Sequence, residues 1–375
     1  MVHYVPEQIY IDAAVADRPL ARRVRTRFPA VPCAVVEDPK TLLDRPGPER
    51  DPLTAGKRRL LVTRHKGRFV KPFPWSEGCL GYNYYVVNLA TNCHYECTYC
   101  ILQSYLNNPM MVLYANTDDL LAEVRARLAE RPGQFHRMGT GELADSLALD
   151  DVTGYSLELV PFFAEQPDAV LEFKTKSAAV ENLRGLKHRG RVIVSWSLNS
   201  EDMVRREEHK TASLEERLRA AAACQSWGYK VGFHFDPLIG YDGWEAGYEA
   251  AVRRLFEVVD ARRVVWVSLG ALRFPVPQKD IIRQRFPGSG LLQGELLPAR
   301  DGKLHYFKPL RVAMYRKLRQ WVRAYGGETV PLYLCMEAPD VWAKAFGWTP
   351  RCSDEVTRLL DLRINPPPGQ GAVYV

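Results

Sequence analysis

Short apolar runs alternate with amphipathic stretches through the middle of this chain. Candidate strands fall at residues 84–90, 135–139, 169–173, 192–198, 230–235 and 264–269. Between them lie helical patterns near 117–130, 154–164, 178–188, 213–227 and 243–259. Short apolar strands alternating with helices of about 10–15 residues predict βαβ units and a parallel sheet. Six such strands predict an α/β fold built on an open (β/α)6 partial barrel, whose chemistry gathers at the C-terminal ends of the strands. Residues 1–80 predict a smaller α/β appendage, with a Pro-, Gly- and Asp-rich linker over 44–56. The barrel is expected over 81–300. A C-terminal basic extension over 301–364 ends in a last strand at 329–337, and 365–375 is expected to be an unstructured tail.

Chemistry enters directly after the first candidate strand. The run Cys93-His-Tyr-Glu-Cys97-Thr-Tyr-Cys100 places three cysteines in eight residues at C-x3-C-x2-C spacing, with no fourth cysteine close by. A [4Fe–4S] cluster normally takes four thiolates. Three protein ligands leave one iron open to a small molecule, the signature of radical S-adenosylmethionine (SAM) enzymes. A structural zinc site would pair C-x2-C with a second Cys/His pair, and none stands at that spacing.

Composition narrows the setting. The chain has 375 residues, eight cysteines and a formal net charge of +7. Clustered free thiols point to a reducing, cytoplasmic compartment. No apolar run reaches the length of a membrane span, and the first residues lack a signal-peptide pattern. The charge is concentrated in two runs without acidic residues, 56–73 and 302–327. Such runs suit phosphates. The second is interleaved with His305, Tyr306, Phe307, Tyr315 and Trp321, a mixture that also stacks on bases. The helix at 309–325 equally fits a solvated face whose Leu310, Met314, Leu318 and Val322 pack inward.

A more specific likeness runs along the chain. Asn88-Leu-Ala-Thr-Asn-Cys93 through Cys100-Ile-Leu-Gln-Ser-Tyr-Leu resembles the cluster segment of the spore photoproduct lyase family of radical SAM DNA-repair enzymes. The likeness continues through Val112-Leu-Tyr-Ala-Asn-Thr-Asp-Asp-Leu-Leu121, Phe173-Lys-Thr-Lys176 and Trp196-Ser-Leu-Asn-Ser200. It resumes at Gly228-Tyr-Lys-Val-Gly-Phe233, Gly243-Trp-Glu-Ala-Gly-Tyr248, Arg273-Phe274 and Arg285-Phe-Pro287.

The resemblance implies a radical SAM fold and roles for matched residues. Cys93, Cys97 and Cys100 would ligate the cluster, and Lys176 would bind the SAM carboxylate. Ser197 and Asn199 would hydrogen-bond SAM, although Ser200-Glu-Asp beside them also reads as a helix start. Tyr99 matches a family tyrosine near the cofactor. In that family a 5′-deoxyadenosyl radical opens a methylene-bridged thymine dimer, a cysteine returns a hydrogen atom, and tyrosines relay the hole. An external one-electron reductant such as flavodoxin or ferredoxin and a damaged DNA duplex are the implied partners.

Two family residues are missing. Glu142 stands where the donor cysteine belongs, and Ile101 replaces the tyrosine after the last cluster cysteine. Gly139-Thr-Gly141-Glu142 reads instead like a Gly-Gly-Glu element whose glycines admit SAM and whose carboxylate accepts from its ammonium. Asp145 fits the family pattern without an evident role. The hydrogen donor is expected at Cys335, at the end of the last strand, with Cys79 the runner-up. Lys66, Arg68, Arg273, Lys303, Lys308 and Arg311 are the expected DNA contacts. The expected function is repair of a thymine photolesion with altered hydrogen return. The alternatives are radical SAM chemistry on another lesion, a nucleoside or a peptide, and, ranked last, a non-enzymatic iron–sulfur protein.

Overall fold

The computed structural model describes residues 4–43 and 51–365. Positions 44–50 of the expected linker and 366–375 of the expected tail lie outside the described residues. An eight-stranded sheet forms the body. Its order is β18-β14-β13-β11-β10-β9-β5-β4, with β4 Val70–Pro72, β5 Tyr85–Val87, β9 His136–Gly139, β10 Ala169–Thr175, β11 Val192–Ser197, β13 Lys230–Leu238, β14 Val264–Ala271 and β18 Leu332–Leu334. From β5 to β18 all neighbours are parallel, and only β4 runs antiparallel at the edge. The six expected strands are all present, and the last expected strand adds a seventh to the open barrel. β11 and β14 are buried along their whole length, as strands covered on both faces must be. Tyr82 and Tyr333 join the two ends of the sheet through their hydroxyls, 3.1 Å apart.

Helices follow the expected pattern with one exception. Thr117–Glu130, Tyr155–Ala164, Leu214–Ser226 and Trp244–Val258 are helical. Ser213 and Glu216 close a reciprocal capping box on the third of these. Residues 178–188 form only the 3-10 turn Glu181–Leu183. Gly185 and Gly190 adopt positive φ there, and Arg189 joins them, so the chain turns back to β11 before a helix can propagate.

The N-terminal unit is a second sheet, of order β2-β1-β3-β8-β6, with β1 Gln8–Asp12, β2 Cys33–Val36, β3 Arg59–Thr63, β6 Ala90–Thr91 and β8 Met111–Tyr114. Because β6 and β8 come from either side of the cysteine loop, a division at residue 80 would cut this sheet. Pro52–Lys57, expected as linker, is a helix capped by Asp51. After β14 an antiparallel flap of β15 Arg273–Pro275, β16 Leu296–Pro298 and β17 Lys303–Tyr306 folds back. The last helix, Ser353–Ile364, seals the N-terminal end of the barrel, where Asp361 pairs with buried Arg137 at 2.6 Å. No helix among the described residues is long and apolar enough to cross a membrane.

The basic extension buries the aromatic residues expected to stack on bases, except Phe307, which is 54% exposed. In the helix Lys308–Gly326, Met314, Tyr315, Leu318, Trp321 and Val322 are buried, as are His305 and Tyr306 before it. Leu310, expected inside, is 39% exposed. This helix is a core element with a charged back.

Candidate active site

β6 delivers the chain to Asn92, which adopts the left-handed backbone region (φ 70°) that asparagine tolerates through local hydrogen bonds. Its Oδ1 accepts from Cys93 N at 2.8 Å and its Nδ2 donates to Pro109 O at 2.6 Å. The cysteine loop starts there. Its strand β7, Glu96–Cys97, pairs antiparallel with β12, Glu208–His209. Gln103 Nε2 donates to the Cys97 and Thr98 carbonyls at 3.1 and 3.0 Å, and Gln278 Nε2 to Cys100 O at 3.0 Å. Below the loop, Glu96 pairs with Lys57 at 3.2 Å and Arg285 at 2.8 Å. Lys57, expected among phosphate-binding cations, is therefore a buried strut. Paired and hydrogen-bonded charges of this kind fix geometry, which a loop holding a cofactor requires.

Among the described residues no three His, Cys, Asp or Glu side chains close around a single ion. The three thiols are nonetheless within electrostatic reach of one another, since Cys100 acts on both Cys93 and Cys97. A polynuclear cluster takes one thiolate per corner, so its ligands stand further apart than three around one ion. The loop fits that group. Burial pushes the Cys93 thiol up to about 12, and Asp145 adds to the effect. Burial likewise raises Cys97, with Lys176 pulling the other way.

Tyr99 points from the loop onto Glu208, donating its hydroxyl to that carboxylate. Glu208 is buried and pairs with buried Arg217 at 2.6 Å. Lys176 Nζ lies 5.6 Å from the centre of the Tyr99 ring, a cation–π distance. Burial disfavours its charge, but the Glu208 carboxylate and Cys97 more than offset this and hold its pKa above the ordinary lysine value. The cysteine loop and Lys176 thus lie side by side.

Ser197, the last residue of β11, leaves its hydroxyl without a partner among the described residues and gives its carbonyl to Arg217 at 2.9 Å. Asn199 departs from expectation. Its amide is fully buried and donates to Glu208 and Pro237 O, both at 3.3 Å, while accepting from Tyr248. That amide is occupied by the protein and supports Glu208 rather than a ligand. Ser200 caps the helix Glu201–Glu207.

The Gly-Thr-Gly-Glu element also reads differently in three dimensions. A Cβ at Gly139 would meet Tyr84 Oη at 1.8 Å, and one at Gly141 would meet Lys174 Cβ at 2.8 Å. Both glycines admit neighbouring side chains. Glu142 is exposed, yet removal from bulk water raises its carboxyl pKa, opposed by Lys174, Lys303 and Arg273. Its charged neighbours are these and Asp236, not Lys176. Asp145 gains a role: it accepts from Leu147 N, Ala148 N, Thr175 Oγ1 and Lys176 N at 2.6–3.0 Å. It ties the loop after β9 to the end of β10 and so places Lys176.

Cys335 follows β18 directly, its backbone N bonded to Leu269 O at 2.8 Å. Its half-buried sulfur lies 3.7 Å from Arg273 Nη2, and Arg273 pairs with Asp236 at 3.2 Å. Burial and then Asp236 push the thiol up to about 12, so it stays an S–H group at neutral pH. Cys79 is close by, donating to Met336 O at 3.3 Å. Sequence reasoning missed this Asp236–Arg273 clamp, because its partners lie 37 residues apart.

The remaining expected DNA contacts divide. Lys66 and Arg68 are exposed and unpaired among the described residues. Lys303 reaches Asp301 at 3.9 Å and Ser76 Oγ at 3.4 Å, and exposed Lys308 pairs with Asp340 at 2.9 Å. Arg273 is committed to Asp236. Arg311 turns inward onto Glu337 at 2.9 Å and Tyr306 O at 2.7 Å, a commitment within the fold rather than the outward reach expected of it.

Comparison with known proteins agrees with this architecture. Spore photoproduct lyase from a Geobacillus species is 29% identical over 309 residues, covering 78% of this chain and 85% of that protein. The Bacillus subtilis spore photoproduct lyase is 26% identical over 299 residues, 77% and 84% of the two chains. A solved mutant of spore photoproduct lyase with bound AdoMet and dinucleoside spore photoproduct superposes with a TM-score of 0.77 at 24% identity, covering 89% of this chain and 99% of that one. A further structure, complexed with dinucleoside spore photoproduct alone, also gives 0.77 at 24% identity. The family profile for spore photoproduct lyase matches residues 4–307. Since that match spans the N-terminal sheet, the cysteine loop, the six central strands and the flap, the chain belongs to the spore photoproduct lyase family.

Proposed function

We propose that this chain is a radical SAM lyase that repairs a thymine photolesion in DNA and returns the hydrogen atom from Cys335. The observation that carries the reading is the pairing of an intact three-thiol loop, pinned beside Lys176, with a thiol at the end of β18. Relatives solved with AdoMet and dinucleoside spore photoproduct support the substrate class. Cys93, Cys97 and Cys100 would hold a [4Fe–4S] cluster, with Lys176 and Ser197 on the SAM side. When bound and reduced by an external flavodoxin- or ferredoxin-like donor, that pair supplies a 5′-deoxyadenosyl radical. Three free thiols and a low-potential donor suit a cytoplasmic setting.

The chain's own residues do the rest. Lys176, kept charged by Glu208, attracts a carboxylate. Tyr99, locked on Glu208, walls the cofactor side. Cys335 gives its S–H hydrogen to a thymine methylene radical, which forms the methyl C–H bond and leaves a thiyl beside the Tyr82–Tyr333 hydroxyl pair. The test is anaerobic reconstitution followed by incubation with SAM, dithionite and dinucleoside spore photoproduct. Repaired dinucleoside should appear with 5′-deoxyadenosine. Deoxyadenosine without repair would transfer the chemistry to another substrate, and its absence would end the radical SAM reading.

A further inference from the structure

Glu142 and Lys174 occupy adjacent strand ends, and their side chains have no hydrogen-bond or ion-pair partner among the described residues. Lys174 belongs to β10 and Glu142 follows β9. Gly141 packs against Lys174 so closely that a Cβ would meet its carbonyl at 2.9 Å. Ser146 fixes the contact, its Oγ accepting from Lys174 N at 3.0 Å and its N donating to Lys174 O at 3.2 Å. Among the described residues, the other charges that act on Glu142 are paired: Asp236 with Arg273 and Lys303 with Asp301. Neither Glu142 nor Lys174 makes an ion pair or a side-chain hydrogen bond among the described residues. Lys174, Asp236 and Arg273 are also the groups that act on the Cys335 thiol. An exposed acceptor and a half-buried donor are thus left open near Cys335, the thiol that follows β18.

Unpaired side chains at the strand ends are free to meet a ligand that supplies a donor to the carboxylate and an acceptor to the ammonium. A phosphate would suit Lys174 but be repelled by Glu142. A pyrimidine-2,4-dione offers C=O and N–H side by side, which matches both. We propose that Glu142 and Lys174 read the imide edge of the lesion's base, Glu142 accepting from N3–H and Lys174 donating to the adjoining carbonyl oxygen. This rests on the photolesion reading and deepens it. It also moves Glu142 from the cofactor to the substrate.

The experiment compares the dinucleoside photoproduct with its N3-methylated analogue, titrated into anaerobically reconstituted wild type and Glu142→Ala in the presence of SAM. N3-methylation should weaken binding to wild type by about tenfold or more and leave Glu142→Ala binding both ligands alike. SAM affinity should be the same in both proteins. An equal methylation penalty in both, or loss of SAM affinity in Glu142→Ala, would overturn the subsite. Wild-type protein that binds SAM but neither dinucleoside would instead overturn the photolesion reading, and the subsite with it.

Discussion

Glu208 shows how much of the site depends on single side chains remote in sequence. It receives Tyr99 from the cysteine loop, Asn199 from the end of β11 and Arg217 from the helix beyond. Both members of the Glu208–Arg217 pair are buried. Removing one partner of such a pair leaves an uncompensated charge and typically costs about 3–5 kcal/mol. Arg217→Met should therefore lower stability by that order in denaturant titration, and Glu208→Gln in the same chain should recover part of the loss. A double variant no more stable than the single would mean the charge is not what matters. The cysteines were legible in sequence because all three fall within one eight-residue loop at a recognisable spacing. Glu208, Asn92 and Asp145 were not, since their partners are brought in by folding and leave no spacing to read.

The strands were the most legible elements, because each is a short apolar run, although the structure trims some, such as 84–90 to Tyr85–Val87, and extends others, such as 230–235 to Lys230–Leu238. Residues 178–188 misled, since helical periodicity cannot reveal that glycines there will turn left-handed. The basic helix Lys308–Gly326 misled through composition: Tyr315 and Trp321 face the core and its charges are largely answered by Glu337, Glu245 and Asp340. Inside the barrel one polar layer ties four strand regions together. Glu172 of β10 accepts from Ser195 at 2.5 Å, Tyr84 at 2.7 Å and His234 at 2.9 Å. Burial works against its ionisation, but His234 and these hydrogen bonds outweigh it and hold the carboxyl at about 2. A carboxyl depressed from about 4.3 in the unfolded chain contributes stability above that value and loses it as pH falls towards 2. The contribution is on the order of 3 kcal/mol. Glu172→Gln should thus flatten the loss of stability between about pH 5 and pH 2. An acid limb as steep as the wild type's would assign that loss to other carboxylates.

At the scale of the whole molecule, the net charge of +7 is less informative than where it remains unpaired. Much of the C-terminal run is paired within the fold, whereas Lys66 and Arg68 stand exposed before the barrel edge strand β4. On duplex DNA, each phosphate that a protein neutralises adds about 0.9 to the slope of log affinity against log salt. Lys66→Glu with Arg68→Glu should therefore weaken DNA binding and flatten that slope by about 1–2. Arg311 is unsuited to the same test, because its removal strands Glu337. An unchanged slope would move the DNA surface elsewhere. The central claim, that photolesion repair here returns hydrogen through Cys335, has one direct measurement. A single turnover in D2O exchanges thiol hydrogen for deuterium before reaction. Wild type should place one deuterium in the repaired thymine methyl group, while Cys335→Ala should cleave SAM without forming that product at normal yield. Repaired product from Cys335→Ala with the wild-type yield and deuterium content would contradict it.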